Sequence, residues 1–167
     1  MSTSIAKHVG LDVARHAEAV LRYLMLGAKV SELQFCPQQV RLTTEPSRPK
    51  GQPYINLASR FKFYEARPAT FPADEMDVDE LTPHQERHLL VSLRYKVVVG
   101  IEVLEPFPHL VLTFFDGTVL YLNGHNICYE AWQAGLLHSD DQTWLVVAGV
   151  EDHLAVFAPD VFWGNAV

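Results

Sequence analysis

Cysteine is scarce in this chain. Among its 167 residues only Cys36 and Cys128 carry a thiol, and no C-x-x-C pair occurs. Structural zinc usually takes paired ligands from two knuckles, so the sequence offers no such centre. Two thiols far apart in apolar surroundings read as buried and reduced rather than as a disulfide. Long hydrophobic runs are also missing. The longest, Tyr95–Ile101, is broken by Lys96 and has the length of a strand, whereas spanning a bilayer takes roughly eighteen apolar residues. The opening MSTSIAKHVGLDVARH lacks the apolar stretch of a secretory signal. A cytoplasmic protein without a membrane partner is expected.

Positive charge is in deficit: 13 Lys and Arg stand against 20 Asp and Glu, for a net charge of −7. The deficit is lopsided. Residues 1–72 carry ten bases and five acids, and residues 73–167 carry three bases and fifteen acids. An acidic exterior repels nucleic acid. Arg60, Lys62 and Arg67 interleave with Phe61, Phe63, Tyr64 and Phe71, and on that ground they read as the wet side of an amphipathic strand rather than a nucleic-acid platform. The asymmetry leaves two readings open. Either the halves neutralise each other in the fold, or the second half forms an acidic docking face. In the docking reading the partner-binding acids are Asp74, Glu75, Asp77, Asp79 and Glu80 in one stretch, and Asp140, Asp141, Glu151 and Asp152 in another.

Signatures of catalysis are absent as well. There is no P-loop, no GxGxxG and no GxSxG elbow, so no cofactor is assigned. His84-Gln85-Glu86-Arg87-His88 places two histidines on one helical face. The zinc-protease motif needs glutamate directly after the first histidine, and Glu86 instead lies about 200° round the helix from His84. A solvated face is the simpler reading. His125 and Cys128, with His138 and Asp140 nearby, can be imagined as a metal site but read as a loop beside a buried cysteine. Asp116 and Glu130 as a carboxylate pair are better explained by a turn and a strand end. No catalytic or metal-binding residue is assigned.

What is present is patterning. Leu11 to Leu26 has Val13, Ala17, Val20, Leu21 and Leu24 at helical spacing, with Gly27 as a stop. Val30 to Thr44 reads as a hairpin bent at Pro37-Gln38-Gln39, Glu45 to Pro53 as a loop, and Tyr54 to Glu65 as a strand. A linker follows from Ala66 to Leu81. Thr82, Pro83 and Gln85 form the signature of a capping box that starts a second helix, running to about Arg94. Strands are expected at Val97–Glu105, Leu110–Phe115, Thr118–Asn123, Trp144–Gly149 and His153–Phe157, with Tyr129–Gln133 open between a strand and a helical turn. Asp116-Gly117 is a hairpin turn, and Asn123-Gly124 offers a second.

The order helix, strand, strand occurs twice. Val30, Leu33 and Phe35 match Val98, Ile101 and Val103 at an offset of 68; Val40–Thr43 match Leu110–Thr113 at 70; and Arg-His-x4-Leu-Arg-Tyr recurs at 15–23 and 87–95, an offset of 72. A duplication would therefore need insertions within each unit. The fold class expected is α+β, mainly antiparallel sheets with two helices, as a single domain over 1–167. Its halves would be 1–72 and 82–167, joined by an acidic linker at 73–81 and related by a pseudo-two-fold duplication if the repeat is real.

Leu26-Gly27-x-x-Val30, then Leu112-Thr113-Phe114-Phe115-Asp116-Gly117-Thr118, then Tyr129-Glu130-Ala131-Trp132 together resemble small uncharacterised bacterial proteins with an F-x-D-G hairpin and a Y-E-x-W motif. Some of these look like the immunity proteins that accompany polymorphic toxins. The resemblance is strongest over residues 93–158. It implies a non-catalytic α+β binder whose partner is a protein, with no catalytic residues to carry over. A homodimeric scaffolding protein is the alternative, motivated by charge asymmetry and open strand edges. A metal-dependent enzyme using His84, His88 or His125 is the third.

Overall fold

The computed structural model describes residues 13–44, 49–140 and 142–164. It contains three helices and two antiparallel sheets, α1 (Val13–Met25), β1 (Lys29–Phe35), β2 (Gln38–Thr43), β3 (Gln52–Leu57), β4 (Phe61–Tyr64), α2 (Pro83–Ser92), β5 (Val98–Val103), β6 (Leu110–Phe114), β7 (Val119–Leu122), β8 (Trp132–Leu137), β9 (Leu145–Ala148), β10 (Leu154–Phe157) and α3 (Asp160–Gly164). The α+β class holds, with α3 a short helix beyond the two expected. The expected helix residues Leu11 and Asp12 lie outside the described residues.

The six-stranded sheet has the order β1-β2-β3-β8-β9-β10 and the four-stranded sheet β4-β7-β6-β5. Both pack on one core, where Leu42, Ile55, Trp132 and Val146 of the first sheet share a cluster with Ile101, Leu112, Phe114 and Leu120 of the second. α1 adds Ala17, Val20, Leu21, Leu24 and Met25, the apolar stripe that its helical spacing dictates. α2 starts as its sequence requires. Thr82 accepts from the Gln85 N–H while the Gln85 side chain accepts from the Thr82 N–H.

The repeat is present in the hydrogen bonding. Lys29 and Val97 form an antiparallel bridge, residues 68 positions apart. The bonds beside it come in exchange-related pairs: Val98 N–H to Ala28 O with Val30 N–H to Lys96 O, and Gly27 N–H to Val98 O with Tyr95 N–H to Val30 O. Gly27 (φ 82°) and Tyr95 (φ 69°) are the matching left-handed residues that follow each helix. A register shift falls after Val30 in β1 and after Val98 in β5.

The next hairpins match at 72 rather than 70, because Leu33 pairs with Val40 where Ile101 pairs with Leu112. The string Arg-His-x4-Leu-Arg-Tyr is out of frame with this correspondence, since Tyr95 matches Gly27 and not Tyr23. Each unit then sends its fourth strand to the other: β4 pairs with β7, and β8 pairs with β3. The crossing bonds are equivalent too, Ala58 N–H to Ala131 O and Asn123 N–H to Arg60 O.

Several expectations are corrected. The single strand over Tyr54–Glu65 is two strands in different sheets, divided at residues 58–60. The stretch Tyr129–Gln133, open between a strand and a helical turn, enters strand β8 at Trp132, and β8 runs on to Leu137 although Ala134 and Gly135 are weak strand formers. A Cβ on Gly135 would sit 2.1 Å from Trp144 O, so a strand-favouring residue cannot stand there. Asn123-Gly124 makes no hairpin turn: β7 ends at Leu122 and the chain crosses to the other sheet. Cys36 and Cys128 are exposed rather than buried, because each lies in a connection and not in a strand.

One edge and one face of the small sheet are covered by other segments. Glu18 of α1 accepts from the Val103 N–H at 3.1 Å, and Arg22 donates to Ile101 O at 3.4 Å, so α1 caps the open side of β5. The outer face is covered by residues 71–78. Phe71 stacks on Tyr121 at 5.6 Å, the Tyr121 hydroxyl donates to Pro72 O at 2.8 Å, and Val78 joins Val111, Val119 and Tyr121 in a second apolar cluster. All four residues of β7 are therefore buried. No helix among the described residues is long and apolar enough to cross a membrane.

Gly135→Ala should lower the unfolding free energy by about 3 kcal/mol, since backbone carbonyl and not a movable side chain blocks the new methyl. Urea denaturation of both proteins measures this.

Candidate functional site

The two units cross between the sheets by connections of different length. Residues 58–60 suffice in the first unit, while residues 123–131 make the same crossing in the second. The longer connection meets the covering segment 71–78 and the turn Val150–Asp152, and nearly every polar group there is matched.

Asn123, fully buried, anchors the start. Its amide donates to Ser59 Oγ (3.0 Å) and to His125 O (2.8 Å), and its Oδ1 accepts from the His125 N–H (3.3 Å). Gly124 follows because nothing larger fits: a Cβ would lie 1.9 Å from Pro108 O. Its N–H donates to His109 Nδ1 at 2.9 Å. That bond fixes the tautomer, so the proton of His109 sits on Nε2 and is donated to Ala73 O at 3.2 Å. Burial holds the His109 imidazole below its ordinary pKa.

Asn126 is the second anchor. Its Oδ1 accepts from the N–H groups of Cys128 (2.9 Å) and Tyr129 (3.0 Å), its Nδ2 donates to Glu75 Oε2 (2.8 Å), and its carbonyl accepts from the Glu151 N–H (2.9 Å). Glu75 also accepts from the Tyr129 hydroxyl at 3.0 Å and from the Arg60 N–H at 3.3 Å. Partial burial, reinforced by Glu75, raises the Tyr129 phenol above its ordinary pKa. Each buried amide left unpaired would cost about 1–3 kcal/mol, so these bonds decide the loop's conformation.

His125 lies between carboxylates. Its Nδ1 meets Asp152 Oδ1 at 2.5 Å, its Nε2 faces Asp74 Oδ2 at 3.8 Å, and its ring packs on Phe107 at 4.1 Å between centroids. Nδ1 is thus hydrogen-bonded, while Nε2 lies beyond hydrogen-bond distance of Asp74.

The sequence-nominated acids separate into groups. Asp74, Glu75 and Asp152 converge on the 123–131 connection from two distant stretches. Glu80 pairs with Arg60 at 3.3 Å, Asp79 with Lys62 at 3.9 Å, and Asp140 with Lys50 at 2.7 Å. Arg67 pairs with Glu102. Bases of the first half thus meet acids of the second, and Lys62 and Arg67 also lie over the rings of Tyr64 and Phe71. Asp77 and Glu151 are exposed. Asp141 lies outside the described residues.

His84 and His88 are exposed on α2, and Glu86 turns away from them to accept from Gln38 at 2.5 Å. Among the described residues, no three His, Cys, Asp or Glu side chains are grouped so as to hold a metal ion. Asp116 sits in the β6–β7 turn, held to about 2 by hydrogen bonds from Lys96 and then Thr118. Glu130 is kept above its ordinary pKa by partial burial alone. In the Y-E-x-W motif, Trp132 is fully buried and donates to Pro108 O at 2.8 Å, and Tyr129 holds Glu75. The motif joins loops.

Sequence reading missed Asn123, Asn126 and His109. The available signal was two asparagines within one connection, a residue type that bonds the backbone just after it.

Comparison with known protein families, with curated proteins and with solved structures finds no match in any of the three.

Two outcomes follow from this network. Asn126→Ala should destabilise the chain by about 2–3 kcal/mol and speed amide hydrogen exchange over residues 123–130. Because His109 binds its proton more weakly when folded, stability should be full above pH 6.5, the ordinary value, and fall as pH drops below it. Urea titrations at pH 7.5 and 5.5 should show that decline shrinking in His109→Gln.

Proposed function

We propose that this chain is a non-catalytic binding protein, acting as an immunity-like inhibitor that neutralises a bacterial toxin by occupying it. One observation carries the reading. At the place where polar side chains gather, most groups that could do chemistry already have a structural task. His109 uses both ring nitrogens, His125 is tethered through Nδ1 to Asp152, and Glu75 ties Arg60, Asn126 and Tyr129 together. A catalytic histidine needs one nitrogen free to meet a substrate proton, and His109 has none. A loop this fully bonded is instead suited to presenting a fixed surface, which lowers the ordering cost of binding. The net charge of −7 favours a basic partner and speeds encounter with it. The F-x-D-G and Y-E-x-W resemblance points the same way.

The test is co-expression in a bacterial host with the toxin domain encoded beside this chain's gene. Growth should be restored and the two proteins should co-elute in a stoichiometric complex. His125→Ala and Asp152→Asn, if folded, should protect wherever the complex persists. Lost protection with the complex intact would mean that neutralisation is chemical, and would overturn the reading.

A further inference from the structure

Most large apolar side chains that reach solvent singly carry no message. Four on this molecule are gathered. Met76 and Ile127 are 78% and 72% exposed, and Tyr129 and Val150 are 46% and 45% exposed. They come from three separate segments, and hydrogen bonds hold those segments side by side. Glu75, next to Met76, accepts from both Asn126 and Tyr129, on either side of Ile127. The Asn126 carbonyl accepts from Glu151, next to Val150.

We infer that Met76, Ile127, Tyr129 and Val150 form a docking surface for a folded protein with a basic face. The inference rests on the binding reading above and names the surface that would perform it. Methionine and tyrosine are favoured interface residues, and the Tyr129 hydroxyl is already satisfied by Glu75, so its ring is available for contact at little polar cost. Asp77 and Glu151 stand exposed at the rim, one residue beyond Met76 and Val150. Glu151 and Asp152 hold φ values of 54° and 61°, a left-handed pair that fixes the course of this turn. The charge selects the partner. A second copy of this chain would set acid against acid across the same patch, whereas a basic face neutralises the rim as the apolar centre is buried.

The experiment uses the full chain with the purified toxin domain encoded beside it as the probe. Ile127→Asp and Glu151→Lys change the patch, and Val91→Asp on α2 is the control. Each patch variant should weaken the complex by about 30-fold in titration calorimetry with an unchanged melting temperature, and the control should bind as the parent does. Binding should also weaken as salt rises. If the parent binds and both patch variants bind equally well, the surface is wrong and the binding reading stands. If the parent does not bind, that reading fails and the surface with it. Sedimentation of the parent alone supplies a third arm: a dimer that Ile127→Asp dissociates would place a second copy on the patch and overturn the basic partner.

Discussion

Backbone pairing between residues 27–30 and 95–98 is the constraint on which the molecule depends. It ties the entry of β1 to the entry of β5, and so fixes each sheet relative to the other. The geometry at this point needs both helices to stop in the left-handed region. Gly27 does so freely, while Tyr95 does so despite its side chain. Once the two units meet there, each hairpin extends away from the contact, and the apolar residues of both fall into one core.

From that framework the interesting region follows as an exception. Symmetry supplies a short crossing at 58–60 and a long one at 123–131. The long one carries amides whose burial would be costly unless every bond is made, and it makes them with the covering segment and the Val150–Asp152 turn. Acids far apart in sequence are gathered by this bonding, not by mutual attraction, which like charges do not have. The acid-rich half owes part of its composition to pairing with the basic half, as Arg60, Lys62, Arg67 and Lys50 show. The paired acids stay at the surface, the Asp79, Glu80 and Asp140 side chains being 86%, 82% and 68% exposed.

Helices and most strands were legible because their signals are local. The Thr82-Pro83-x-Gln85 box, the stripe of α1 and the Asp116-Gly117 turn each specify structure within a few residues. β8 was legible only at its start, because Gly135 answers to the carbonyl of Trp144, just before β9. Gly124 looked like a turn residue for the same reason: its constraint is the approach of Pro108, invisible along the chain. The repeat was visible only in part, since its units share registers and burial more than letters. Of the nine nominated acids, sequence could not say which would pair with bases of the first half. His109, Asn123 and Asn126 were missed because their importance lies in partners remote in sequence.

The traded fourth strands have a consequence for how such a chain could arise and diverge. A polypeptide of one unit alone would leave the outer edge of its third strand open and its fourth strand unpaired, and two copies would heal the defect by swapping their fourth strands, giving an intertwined dimer with this same pairing. Joining the copies end to end makes that exchange intramolecular. It also releases the two crossings from identity, so that one can stay minimal for folding while the other lengthens and gains contacts of its own at no expense to the framework.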